Sequence, residues 1–342
     1  MVPLSVLELA TVATGSTPAR ALAETTKLAG EAERLGYHRL WVAEHHGMPA
    51  VASSAPAVLI AHLASATSTL RVGSGGVMLP NHSPLVVAEQ FGTLEALHPG
   101  RIDLGLGRAP GTDHQTARAL RRTRDLGADH FPDDVVELIR YLAPSDGPPG
   151  HPSANPGAGY LPEVWLLGSS LFSAQLAGLL GLPFSFAYHF SPGPVDAALD
   201  AYRETFRPSH LLAEPKAMVA VSVICAPSDE EARWLAGSSA LSILQRRTGR
   251  LGLLPSPEEA HRYEFSASDS AIIEETMSTH VIGAPSTVVD GINRLAQRTG
   301  ADELMISTRV HSYDARVQSL SLVSKHFGLA RASDVDSEPI DR

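Results

Sequence analysis

Glu44-His45-His46 brings a carboxylate and two imidazoles together directly after an apolar run ending Trp41-Val42-Ala43. Imidazole titrates near neutral pH, so a histidine here could move a proton or donate a hydrogen bond to a reacting group. The alternative is a structural histidine held in a loop by Glu44. A metal site is not expected. Adjacent histidines point in different directions, and no cysteine or carboxylate at ligand spacing completes a set. Gly73-Ser74-Gly75-Gly76 lets the backbone approach a flat ligand closely, or simply form a bulge or turn. Gly105-Leu106-Gly107-Arg108-Ala109-Pro110-Gly111 nearly reproduces a dinucleotide-binding loop. It fails because Pro110 stands at the third glycine position and no acidic residue ends a following strand. Arg108 instead offers a bidentate, charge-assisted contact to a phosphate. Ser169 and Ser170 open a helix, where free N–H groups and the helix dipole favour an anion, although a plain N-cap is the commonest use of serine there.

Short β-branched runs alternating with longer amphipathic stretches must position these residues. Strands are expected over 4–9, 39–42, 70–73, 102–105, 164–167, 184–187, 218–224 and 303–307. Helices are expected over 18–35, 56–66, 84–97, 170–180, 195–205, 287–298 and 313–327, with 116–142 helical in two pieces broken near Pro132. Residues 144–159 are dense in Pro and Gly and read as a loop. Residues 251–270, within an excursion from 229 to 278, read as an inserted surface loop or lid. A polar tail follows Arg331. Eight βα units predict a single α/β domain, a (β/α)8 barrel with insertions, over 1–342. A doubly wound sheet would carry a glycine-rich phosphate loop after its first strand, and Ala10-Thr11-Val12-Ala13 stands there instead.

A barrel carries its site at the C-terminal ends of its strands. The motifs above fall there, with Tyr188-His189 after the sixth strand and Arg309 and His311 after the eighth. The result is a polar, ionisable rim on an apolar scaffold.

The chain has 342 residues, 44% of them apolar, enough for one large closed core. The net charge of −10 argues against nucleic-acid and membrane-surface partners, which select basic patches. Cys225 is the single cysteine, so no disulfide framework exists. No leader-like segment or apolar run of about 20 residues is present, and a cytoplasmic location is expected.

The strand-end motifs, taken in order, resemble the bacterial-luciferase-like flavin monooxygenases. The resemblance rests on Gly36-Tyr37-His38-Arg39-Leu40-Trp41-Val42-Ala43-Glu44-His45-His46, Val72-Gly73-Ser74-Gly75-Gly76-Val77-Met78-Leu79-Pro80, Ala88-Glu89-Gln90 and Gly100-Arg101-Ile102-Asp103-Leu104-Gly105-Leu106-Gly107-Arg108. Gly181-Leu182-Pro183, Ile282-Gly283-Ala284-Pro285 and Asp302-Glu303-Leu304-Met305 continue it. It implies the barrel fold and reduced FMN as cofactor. His45 is implied as the catalytic histidine, and Gly75-Gly76 as a cis-peptide bulge supporting the isoalloxazine ring. Arg108, Ser169, Ser170 and Ser173 are implied around the phosphate, and His46, Tyr188 and His189 around the substrate. Dioxygen would add at flavin C4a as a hydroperoxide, which hydroxylates or epoxidises an organic substrate. A separate NAD(P)H:flavin reductase would supply the reduced flavin, and a homodimer is the family default. Similar chains tailor aromatic polyketides in antibiotic biosynthesis. Gly107 and Ser169 stand where luciferases have cysteine and glutamate, which counts against light emission and an aldehyde substrate. Two other readings stay open: a deazaflavin (F420)-dependent dehydrogenase on the same barrel, and a flavin-binding protein without turnover.

Overall fold

The computed structural model describes residues 2–109, 111–121, 130–144, 152–190 and 193–329. The first strands and helices alternate as β1 (Leu4–Glu8), α1 (Pro18–Arg34), β2 (Arg39–Val42), α2 (Pro56–Ala66), β3 (Arg71–Met78), α3 (Pro84–Leu97) and β4 (Ile102–Gly107). Two helices follow, α4 (His114–Arg121) and α5 (Phe131–Leu142), then β5 (Glu163–Gly168), α6 (Leu171–Leu180), β6 (Phe184–Phe186), α7 (Val195–Thr205) and β7 (Ala217–Cys225). The last part holds α8 (Asp229–Arg247), α9 (Pro257–Arg262), α10 (Ala267–Met277), β8 (Val281–Gly283), α11 (Pro285–Thr299), β9 (Glu303–Ser307) and α12 (Tyr313–Phe327).

All pairings between these strands are parallel, and β1 to β7 with β9 close into an eight-stranded barrel through β6–β7, β7–β9 and β9–β1. The side-chain period of two sorts each strand into an outward and an inward set. Outward residues such as Val6, Leu40, Val72, Leu104, Leu166, Val219 and Leu304 join the helices in one continuous apolar layer. The inward set stacks in tiers, as a filled barrel requires. At the N-terminal end, Arg39 meets Asp103 at 2.8 Å, Glu303 at 2.9 Å and Glu163 at 3.2 Å. Above it lie Leu7, Trp41, Trp165, Met218, Ala220 and Met305. The two indoles meet edge to face with centroids 5.5 Å apart, and the Arg39 guanidinium lies 5.2 Å from the Trp165 ring. Gly73 and Gly105 make room for this tier. A Cβ on Gly73 would sit 2.8 Å from Trp41 Nε1, and one on Gly105 would sit 2.2 Å from the Ser74 carbonyl oxygen.

Three sequence expectations change. The third strand does not stop at Gly73 but continues to Met78, so Gly75 and Gly76 lie within it, at a bulge in its pairing with β4. A ninth strand, β8, was not foreseen. At three residues it carries too little alternation to read, and it pairs with the end of β7 alone, outside the barrel. The two helical pieces expected over 116–142 are α4 and α5, and Pro132 sits in the first turn of the second, where its missing N–H costs nothing. The excursion beyond 229 is largely helical. Capping boxes at Ser256 and Ser266 start α9 and α10, because serine and an acidic residue three positions on satisfy each other's backbone N–H groups. This segment is tied to the barrel. The Leu254 N–H donates to Val12 O (2.9 Å), and the Thr14 hydroxyl donates to Glu259 (2.8 Å). The polar tail expected after Arg331, residues 122–129 of the expected 116–142 helix pair, and residues 145–151 of the Pro/Gly-rich stretch lie outside the described residues.

Candidate active site

Glu44 organises the loop after β2. Its side chain is fully buried and accepts hydrogen bonds from His46 Nε2 (2.8 Å), His82 Nε2 (2.8 Å) and the Met78 N–H (3.0 Å). Burial pushes its pKa up, but the donors, His82 foremost, outweigh that and hold the carboxyl below its ordinary value. One carboxylate thereby pins the β2 loop to the end of β3, just past Gly75-Gly76. The peptide bond between those two glycines is cis, the geometry the resemblance implied.

The same arrangement separates the two neighbouring histidines. His46 turns to Glu44, away from the cavity that its neighbour lines. The His45 backbone N–H is held by Ser53 O at 3.0 Å, and its ring faces a cavity bounded by Met48, Ser242, Gln245, Arg246 and Arg309. His45 Nδ1 is buried without a hydrogen-bond partner, as are Nδ1 of His189 and of His280 and Nε of Arg309. Orphaned polar atoms that converge in one barrel mouth are the mark of a site that expects a ligand.

Burial lowers the pKa of all three imidazoles to about 4. For His45, Arg309 and Arg246 add to the effect; for His189, His280 and His45 do. The rings are therefore neutral at pH 7. A depressed folded-state pKa means that the unfolded chain binds more protons below about 6.5, so stability is complete above that pH and falls as pH drops toward 4. The urea midpoint of the flavin-free protein should decline over that interval, and a flat midpoint would contradict the neutral assignment.

Across the barrel mouth, Arg108 follows β4 and its guanidinium lies 4.5 Å from the Phe172 ring, in the first turn of α6. Among the described residues no carboxylate pairs with it. Ser170 is the N-cap of α6 yet makes no capping hydrogen bond from its side chain; its hydroxyl lies 3.5 Å from that of buried Ser173. Ser169 is a half-buried bend beside them. The structure thus brings Arg108, Ser169, Ser170 and Ser173 together at one rim position. It places Tyr188 elsewhere. That ring packs into the apolar layer outside the barrel, 5.4 Å from the Arg298 guanidinium. His189 is half-buried, with a hydrogen bond to the Ala220 backbone. His311 bonds to the Thr14 carbonyl (3.1 Å) and serves as a latch between loops.

Arg246 and His280 were not foreseen as site residues. Both come from the excursion after β7, and an arginine in the last turn of a helix reads as solvated.

The chain matches the luciferase-like monooxygenase family over residues 2–303. A luciferase-like monooxygenase of Escherichia coli (strain K12) is 46% identical over 94% of this chain and 96% of its own length. The N-acetyl-S-alkylcysteine monooxygenase of Bacillus subtilis (strain 168) is 34% identical, covering 95% and 98%. The crystal structure of apo-MsnO8 superposes with a TM-score of 0.91 at 38% identity, over 97% of this chain and all of the other. At lower identity the fold alone is shared with the oxygenating constituent of 3,6-diketocamphane monooxygenase in complex with FMN (20%, TM-score 0.72) and with an F420-dependent secondary alcohol dehydrogenase (14%, TM-score 0.70).

Proposed function

The chain belongs to the luciferase-like monooxygenase family, and on that premise we propose that it is a flavin monooxygenase that uses reduced FMN and dioxygen to oxygenate a small organic molecule. The observation that carries the cofactor reading is Arg108, without a carboxylate partner among the described residues and held against the first turn of α6, whose N-cap side chain makes no capping bond to the helix. Guanidinium, free helical N–H groups and two serine hydroxyls suit a phosphate. Gly75-Gly76 at the β3 bulge packs against Leu7, Leu167 and the Gly105 carbonyl, where a Cβ would collide, and so shapes the backbone on which a flat ring would rest. When bound, reduced flavin supplies the electrons that activate dioxygen.

The chain's own residues position, shield and manage protons. His45 presents a neutral imidazole whose Nδ1 is free to accept or donate one hydrogen bond inside the cavity. Glu44 fixes the loop that carries His45 and is a positioning residue. The segment over 250–278, docked on the β1 loop, covers one side of the mouth and excludes water from it, which keeps a reactive oxidant from decaying unproductively. A separate reductase supplies the reduced flavin, and the protein works as a cytoplasmic homodimer. The relative named for N-acetyl-S-alkylcysteine, a thioether, supports sulfide oxidation as one candidate reaction, alongside hydroxylation or epoxidation of an aromatic polyketide in antibiotic biosynthesis.

The test uses reduced FMN and reduced riboflavin, which differ by the phosphate. Arg108→Ala should weaken reduced FMN roughly 10- to 100-fold, the worth of a hydrogen-bonded charge, and leave reduced riboflavin unchanged. Equal losses for both, or none for either, would remove the phosphate from this corner.

A further inference from the structure

We propose that Arg309 and Arg246 form a receptor for the carboxylate of the substrate, so that this protein acts on organic anions and not on neutral molecules. For the word substrate this rests on the oxygenase reading above; for the anion it rests on the cavity itself.

Arg309 follows β9, and its side chain turns into the barrel mouth. Its Nη2 donates to the Ser242 hydroxyl at 3.0 Å, and its carbonyl accepts from the Ser239 hydroxyl at 2.5 Å. Two residues of one helix, α8, therefore hold it in place. Its Nε is buried with no partner. Arg246, from the last turn of the same helix, lies on the same cavity wall, close enough to add to the burial that disfavours the charge on Arg309. Neither forms a salt bridge among the described residues, and no aspartate or glutamate lines the cavity they share. Arg309 is part-buried and Arg246 is exposed at the cavity edge, and the fold holds these two like charges side by side with no counter-charge between them. A planar anion would satisfy both forks at once, which a point cation such as lysine does less well.

Size and position narrow the ligand. The cavity is about 50 Å3. On that measure one water needs about 10–15 Å3, so a carboxylate-sized head fits and a whole substrate does not. His45 lies on the same wall, so the body of a molecule anchored there extends past the imidazole into the barrel mouth. The cofactor phosphate does not compete for this place. In the closed strand order β9 and β4 are diametrically opposed, so Arg309 and Arg108 face each other across the barrel. Two anion sites at opposite rims, with the glycine bulge and His45 between them, provide for two separate anions.

The test compares 3-phenylpropionate with 3-phenylpropionamide, alike in shape and different in charge, by calorimetry on the full chain. The carboxylate should bind and the amide should not. Arg309→Met and Arg246→Met should each weaken the carboxylate at least tenfold. Arg309→Lys should recover part of the loss, which guards against misfolding as the explanation. Arg108→Ala should leave carboxylate binding unchanged, and Arg309→Met should leave reduced-FMN binding unchanged. Equal binding of acid and amide would overturn the proposal. So would a loss of reduced FMN in Arg309→Met as large as that in Arg108→Ala, because Arg309 would then serve the cofactor. Carboxylate binding that depends on Arg309 in a protein that ignores FMN would sink the oxygenase reading and leave the anion site standing.

Discussion

His45→Ala should lower turnover with reduced FMN and dioxygen by about 10²- to 10⁴-fold, the range for removing a positioned proton-handling group. Its effect on reduced-FMN affinity should be small. The asymmetry follows from geometry. The His45 ring lines the cavity that holds Arg309, apart from the phosphate corner, and its buried Nδ1 has no partner among the described residues. Alanine removes that atom without disturbing Glu44, whose bonds run to His46, His82 and Met78. The measurement is product formation alongside an anaerobic reduced-FMN titration. Full turnover in the variant would take His45 out of the chemistry. Loss of both quantities together would mean that it holds the flavin.

Arg39→Met should cost about 3–5 kcal/mol, the penalty for breaking a buried ion pair from one side. A domain holds only about 5–15 kcal/mol in total, so much of the margin would go. Arg39 is the shared cation of the layer that closes the N-terminal end of the barrel, and Asp103 and Glu303 are as buried as it is. Methionine fills the volume, leaves Glu303 without a cation and leaves Asp103 with Arg71 alone. Glu163 adds a pH signature. Burial pushes its pKa up, but Arg39, Lys216 and Arg71 outweigh burial and bring it to about 2. A depressed carboxylate stabilises fully above its ordinary value near 4.3, and that contribution is lost as pH falls through about 2. Without Arg39 that loss should be smaller and should be complete at a higher pH. Urea midpoints measured against pH in both proteins test this, and a cost below about 1 kcal/mol would show the layer to be dispensable.

The barrel was legible because β2 and α1 to α3 carry their own punctuation. Pro18, Pro56 and Pro84 each stand in a helix's first turn, so their starts were plain from sequence. Interior layers were not legible, since Arg39 and Asp103 read as ordinary polar residues until strand register stacks them. The same holds for the site. His45, Arg108 and Ser170 sit at strand ends and could be found by motif. The carboxylate that aims His45 was visible beside it, but most of its donors come from the turn after β3, more than thirty residues away. Arg246 and His280 converge only through the helices after β7, where sequence spacing says nothing about distance. Tyr188 shows the reverse error: it follows a strand end, but its side chain turns outward.

The central claim is that the barrel mouth binds reduced FMN and controls its reaction with dioxygen. Anaerobic titration with photoreduced FMN, followed by rapid mixing with oxygenated buffer and absorbance detection, addresses it most directly. The account predicts saturable binding and reoxidation measurably slower than that of free reduced FMN. Absence of binding, or reoxidation at the free rate together with tight binding of reduced F420, would contradict it and move the chain to the dehydrogenases that share its fold.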